Sequence, residues 1–194
     1  MPSKNINIKS VAVIGAGVMG AQLAALFANK GIRSYLYDIT TDTSILGKNR
    51  LKIIKPPPLE QPEYIELIQA CSLDEDIQKI EKADWIIEAV PEKIEIKVEV
   101  FKKVSPFIHE GAILSSNTSG ITLNELIKNL PENLKSRFLI THFFNPPRYM
   151  KLLEIVKNEQ TSLETYNSLT SFCSSILDKG IVPAKDNPNF IGNR

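Results

Sequence analysis

The sequence predicts an α/β domain, a doubly wound, mostly parallel sheet with helices on both faces. Three observations carry that prediction. Runs rich in β-branched residues alternate with helix-like runs along the chain. A GxGxxG segment joins the first strand-like run to the first helix-like one. An acidic residue closes the second strand-like run, about 20 residues after the glycines.

Taken in order, residues 8–14 read as a buried strand and residues 18–30 as a helix that stops at Gly31. Residues 32–37 form a second strand ending at Asp38. Residues 43–55 look helical until Pro56, Pro57 and Pro58 end the pattern. Residues 64–70 fit a helical turn or the start of a strand equally well. Residues 84–90 are a strand led by Trp85, and residues 94–104 a helix stopped before Pro106. A strand over 112–115, a helix over 122–130 and strands over 138–142 and 152–156 follow. A long amphipathic helix over 162–177 precedes Gly180, and a last strand covers 181–184. Phe190 and Ile191 read as the opening of a further helix. Because the chain stops so soon after them, it is expected to be a fragment of a longer protein.

Composition narrows the class. The chain has 194 residues, 43% hydrophobic and 23% charged, with a formal net charge of +1. That is enough chain for a sizeable core. It gives no electrostatic bias toward nucleic acid or an anionic membrane. Cys71 and Cys173 form no CxxC pair and read as reduced thiols. No metal-ligand cluster is expected. Residues 1–10 are polar and lack a signal-peptide core. The apolar run over 11–28 is long enough for a membrane span, but three glycines and Gln22 interrupt it, and its period changes from strand to helix. A cytoplasmic protein is the expectation.

The motif Gly15-Ala16-Gly17-Val18-Met19-Gly20 points to a dinucleotide. Gly15 permits the tight turn, Gly17 lets a pyrophosphate approach the backbone, and Gly20 lets helix and strand pack closely. The free N–H groups at the helix start would hold the phosphates. Asp38 can accept hydrogen bonds from ribose hydroxyls and would repel a 2′-phosphate, which favours NAD over NADP. FAD or another adenosine ligand is the alternative at this point.

A second cluster points to chemistry. Ser119, in Ser115-Ser116-Asn117-Thr118-Ser119-Gly120, follows one strand, and His142-Phe143-Phe144-Asn145-Pro146 closes another. Both fall at the C-terminal strand ends, where open α/β sheets bind ligands. A histidine can take the hydroxyl proton in an alcohol oxidation. Glu154 is out of place in the apolar strand Leu152-Leu153-Glu154-Ile155-Val156 unless it has a partner, and His142 is the candidate. The plainer readings are a structural histidine, an outward-facing Glu154 on an edge strand, a Ser119 that caps the next helix, a solvent-facing Lys97 and a surface His109.

Together these segments resemble the 3-hydroxyacyl-CoA dehydrogenase family, and the likeness runs through essentially the whole chain. The wording AVIGAGVMG, DWIIEAVPEKIEIK, SSNTSG, THFFNPP, KLLEIV and KDNPNFIGNR carries it. The resemblance implies a Rossmann-type fold, NAD as cofactor and reversible conversion of 3-hydroxyacyl-CoA to 3-ketoacyl-CoA in fatty-acid β-oxidation. It makes His142 the base, Glu154 its carboxylate partner, and Ser119 and Asn193 the groups that hold the substrate oxygen. It makes Glu92 and Lys97 cofactor-lining and puts Asn117 near the nicotinamide ribose. With Gly15, Gly17, Val18, Met19, Gly20, Asp38, Val90 and Ser119 these complete the candidate cofactor set. It implies a domain over residues 1–188, with 189–194 opening a connection to an absent helical domain. That domain would close over the substrate and carry a dimer interface, leaving Phe190 and Ile191 as exposed apolar candidates here. The chain departs from the family at Asn189, where glycine is frequent but asparagine tolerates left-handed geometry, and in a short 38–84 segment. A dehydrogenase of small, CoA-free acids using a lysine base and a non-catalytic NAD module are the alternatives.

Overall fold

A computed structural model describes residues 8–193; the polar lead over residues 1–7 and Arg194 lie outside the described residues. Eight strands form one sheet in the order β3-β2-β1-β4-β5-β6-β7-β8. The strands are β1 (Ser10–Ile14), β2 (Arg33–Asp38), β3 (Ile68–Ser72), β4 (Trp85–Glu88), β5 (Ile113–Ser116), β6 (Phe138–Phe143), β7 (Leu152–Val156) and β8 (Gly180–Ala184). All neighbours run parallel except β6 and β7. The chain leaves β1 toward β2 and β3, then returns to lay β4 on the other side of β1. The crevice beyond that reversal is where such sheets take ligands.

Alternate residues of each strand feed two separate cores. One face packs Val11, Val13, Leu36, Trp85, Ile87 and Leu139 against α1 (Val18–Ala28) and α5 (Leu163–Ser175). The other packs Ala12, Ile14, Ile86, Leu114, Phe138 and Ile140 against α3 (Ile94–Val104) and α4 (Leu123–Ile127). Trp85 is wholly buried. Its indole N–H donates to the Ser115 hydroxyl at 2.9 Å, which in turn bonds Thr141, also at 2.9 Å, so the polar handle of this large side chain is satisfied inside the sheet. Cys71 and Cys173 are free and buried. No helix among the described residues is long and apolar enough to cross a membrane.

Three local expectations change. The helix expected over 43–55 is α2 (Thr41–Arg50), started by the Thr40 side chain. Beyond Arg50 its hydrogen bonds tighten, with Leu51, Lys52 and Ile53 each donating three residues back, a frequent way to end a helix. The undecided stretch over 64–70 does both things, a 3-10 turn (Pro62–Leu67) running straight into β3. Thr122, not Ser119, caps α4. Its side chain accepts from the Glu125 N–H, and Glu125 reaches back to complete a capping box.

No helix starts at Phe190 among the described residues. Asn189 and Phe190 both take positive φ, 65° and 47°, which turns the chain instead of continuing it. Phe190 is not an exposed docking residue either. It is 2% exposed and joins the second core, whereas Ile191 is exposed.

Candidate functional site

The candidate reaction centre comes from the one antiparallel pairing in the sheet. His142 on β6 and Glu154 on β7 are directly opposed in the register. Opposed residues share a face with their Cβ atoms close together, so two short side chains meet without help from any loop. His142 Nδ1 lies 2.7 Å from Glu154 Oε2. The other carboxylate oxygen accepts from the Ile191 N–H at 3.0 Å and the Gly192 N–H at 2.8 Å. Glu154 is fully buried and lies on an interior strand, which excludes an outward edge position. A carboxylate facing Nδ1 selects the tautomer that carries the proton there, leaving Nε2 free to accept one. The centroid of the Phe144 ring lies 4.5 Å from that of the imidazole, and the Phe190 centroid 5.7 Å.

The glycine turn builds the other half. Gly15 sits at φ 107°, and a Cβ there would lie 2.6 Å from the Ala89 carbonyl oxygen. A Cβ on Gly20 would lie 1.8 Å from the Gly15 oxygen. Both glycines are therefore demanded by the protein's own packing. Nothing lies within 4 Å of a Cβ built on Gly17. That opening belongs to a groove of about 640 Å³ lined by Gly15, Gly17, Val18, Met19, Asp38 and Val90, which runs on past Leu73 and Val100 to Lys103. Asp38 is tied to the loop it serves, with one oxygen accepting from the Ala16 N–H and the other from the Ile39 N–H, both at 2.8 Å. The groove is long and mostly apolar, with a carboxylate in its wall and helix N–H groups at its head, which fits a dinucleotide.

The remaining candidates lie between these halves. Ser119 and Asn193 are exposed, and the Asn193 amide donates to the Ser119 carbonyl at 3.2 Å. Asn117 turns its oxygen to the Phe143 N–H at 3.0 Å, joining the loop after β5 to the end of β6. Glu92 accepts from the Thr118 hydroxyl and from the Ser119 and Gly120 N–H groups, at 2.5, 2.8 and 2.9 Å. Burial pushes its carboxyl upward, but these donors and the Lys97 charge outweigh that and hold it below the ordinary value. Lys97 is not solvent-facing. It is 1% exposed, its ammonium 2.8 Å from Glu88 and 3.1 Å from Glu92. His109 is on the surface.

Glu88, at the end of β4, escaped the reading of the sequence. It is fully buried and accepts from the Val90 N–H, Lys97 and the Ser116 hydroxyl. Burial pushes its carboxyl above the ordinary value, against the pull of Lys97 and these hydrogen bonds. The signal was available, because an acid ending the apolar run Trp85-Ile86-Ile87 is as anomalous as Glu154 in its own strand.

Comparisons with known proteins agree with this geometry. The family model described as "3-hydroxyacyl-CoA dehydrogenase, NAD binding domain" matches residues 10–187. A "Probable 3-hydroxyacyl-CoA dehydrogenase" of Bacillus subtilis is 40% identical, covering 97% of this chain and 26% of its own length. The mitochondrial hydroxyacyl-coenzyme A dehydrogenase of Mus musculus is 35% identical, over 98% of this chain and 63% of its own. The chain thus spans less than two thirds of these curated relatives. Among solved structures, an (S)-3-hydroxybutyryl-CoA dehydrogenase from Ralstonia eutropha superposes with a TM-score of 0.84 at 28% identity, covering 97% of this chain and 67% of that one.

Proposed function

Because the chain belongs to the 3-hydroxyacyl-CoA dehydrogenase family as its NAD-binding domain, we propose that it supplies the cofactor site and the acid–base groups for reversible oxidation of 3-hydroxyacyl-CoA to 3-ketoacyl-CoA. What supports this reading is the buried His142–Glu154 pair toward the C-terminal end of β6, the same end of the parallel strands as the glycine turn after β1. The proposed setting is the cytoplasm, where both thiols stay reduced.

NAD, when bound, is the two-electron acceptor. Gly15, Gly17, Val18, Met19, Asp38 and Val90 would hold it along the groove, with the pyrophosphate at the start of α1. His142 Nε2 takes the proton of the C3 hydroxyl as the bond to carbon gains double-bond character. Glu154 stabilises the imidazolium that forms and keeps its plane fixed. Glu154 can do this from a buried position because two backbone N–H groups already solvate its second oxygen. Ser119, whose side chain is exposed at the lip, and Asn193 beside it would hold the C3 oxygen. In the reverse direction His142 returns the proton.

The direct test is turnover of acetoacetyl-CoA with NADH, measured against a free 3-oxo acid as competitor. Oxidation of NADH by the thioester supports the reading. Preference for the free acid, or cofactor binding with no turnover by the full-length protein, overturns it. Asp38 provides a second check. Asp38→Ala should weaken NAD by about 1–3 kcal/mol, the worth of a charge-assisted hydrogen bond, and narrow the gap to NADP. Calorimetric titration of both cofactors measures this, and unchanged affinities would remove Asp38 from the site.

A further inference from the structure

Gln22 is the one polar side chain in α1, whose sequence from Val18 to Ala28 is otherwise apolar or glycine. It is 3% exposed, and a buried amide is costly unless it is hydrogen-bonded. Its Nε2 donates twice, to the Val18 carbonyl oxygen at 3.2 Å and to Asn145 Oδ1 at 2.9 Å. The second bond crosses from the helix that follows the glycine turn to the segment that follows β6, the strand of His142.

These two bonds have a direction. A backbone carbonyl can only accept, so the Val18 oxygen decides which end of the Gln22 amide is the nitrogen. Turning that amide over would set two oxygens against each other at Val18. With the Gln22 nitrogen fixed, Asn145 must offer its oxygen to it. The Asn145 amide nitrogen then keeps both its N–H groups, and no described residue accepts from them. Asn145 is exposed. It lines a cleft of about 350 Å³ together with Gln22, Val18 and Pro146, and Val18 also lines the long groove. The two donors thus stand beside the start of α1, three residues beyond His142.

We propose that Gln22 is a positioning residue, which fixes the Asn145 amide so that its N–H groups, and not its oxygen, meet an oxygen of the bound cofactor or thioester. The inference rests on the reading above, in which both ligands meet at this end of the sheet. An unrestrained asparagine amide presents either end, and its oxygen facing another oxygen repels it. The Val18 carbonyl, part of the helix backbone, therefore sets the polarity of a group two side chains away.

The test is a double-mutant cycle on the full-length protein, reading kcat and KM for acetoacetyl-CoA and the KM for NADH. Gln22→Met keeps the length of the side chain and removes the donor, so the Asn145 amide is free to turn. The expected loss in kcat/KM is about 3- to 10-fold, the range of one hydrogen bond. Asn145→Asp keeps the bond from Gln22 but puts an oxygen where the N–H groups were, and should lose about tenfold or more. Gln22→Glu makes position 22 an acceptor, which draws the Asn145 N–H groups to itself, and should match Asn145→Asp. In an Asn145→Ala background neither change at Gln22 should matter further, since no amide remains to orient. A rise in KM for NADH assigns the acceptor oxygen to the cofactor, and a loss in kcat or in the thioester KM assigns it to the substrate; either supports the proposal. Equal losses from Gln22→Met with and without the Asn145 side chain mean a merely structural role and overturn it. Wild-type kinetics in Asn145→Asp do the same. If Gln22→Glu does not fold, Gln22→Met and Asn145→Asp decide alone. Absence of turnover by the unmutated protein overturns the reading above and this inference with it, whereas normal turnover with independent behaviour at Gln22 overturns the inference alone.

Discussion

Replacing His142 by alanine is expected to lower turnover of acetoacetyl-CoA roughly 10²–10⁴-fold, the usual worth of general-base catalysis, while NAD binds as before. The imidazole sits 4.5 Å from the Phe144 ring, away from the groove lined by Asp38 and Val90, so its removal leaves the cofactor wall intact. Glu154→Gln should cost less than His142→Ala, because the imidazole stays in place, although glutamine has a single acceptor oxygen for either Nδ1–H or the 191–192 N–H groups and does not carry the charge that stabilises an imidazolium. Once His142 is gone, the state of Glu154 has nothing left to act on, so the double variant should be no slower than His142→Ala. Steady-state rates of the four proteins decide the matter. If the two losses multiplied, the residues would be working independently and the dyad would be wrong.

The second large effect separates two glycines that sequence motifs treat alike. Gly20→Ala puts a methyl group 1.8 Å from the Gly15 carbonyl oxygen, a contact that only backbone movement can relieve. The expected cost is at least about 1–3 kcal/mol of stability, as for overpacking, together with loss of NAD because the phosphate turn itself shifts. Gly17→Ala meets nothing in the protein within 4 Å. Its stability should fall by no more than about 1 kcal/mol, the cost of a poorer N-cap residue, yet its NAD affinity should fall about tenfold or more, or at least 1.4 kcal/mol. Thermal unfolding with and without NAD, run on both variants, checks the contrast. Equal destabilisation by the two would show that Gly17 serves the fold and not the ligand.

Much of this architecture could be read from the chain because the local and the global signals agree. The change of period at Gly15 marks a strand–turn–helix unit, and the helix over Ile94–Val104 has its expected bounds because the 3.6-residue pattern, Lys93 outside it and the proline after it all coincide. What escaped were properties of pairing and enclosure. Periodicity gives a strand no direction, so nothing in Leu152–Val156 announced that it would run against β6. Lys97 reads as a surface lysine because helix geometry places it but does not reveal that two acids from other segments converge on it. Phe190 reads as the first turn of a helix, since its residue type says nothing of the left-handed backbone that sends its ring into the core. In the site, Asp38 and the glycines were legible from spacing. The anchoring of Glu154 by the 191–192 amides was not, because it joins residues almost forty positions apart through bare backbone.

The direct opposition of His142 and Glu154 across an antiparallel ladder makes their meeting a matter of parity. Ile140 faces Val156, Thr141 faces Ile155 and Phe143 faces Leu153, so a slip of one residue in β7 would bring Leu153 or Ile155 against the imidazole. The same slip would turn the carboxylate toward the opposite core, where Trp85 and Leu139 lie. The residues between the strands do not set this pairing; the apolar neighbours of Glu154 hold the ladder in step. The connection has its own work, since the Pro147 and Met150 carbonyls accept from the buried Lys179. Distance along the chain is a poor guide to such pairs; which residues stand rung to rung is a better one.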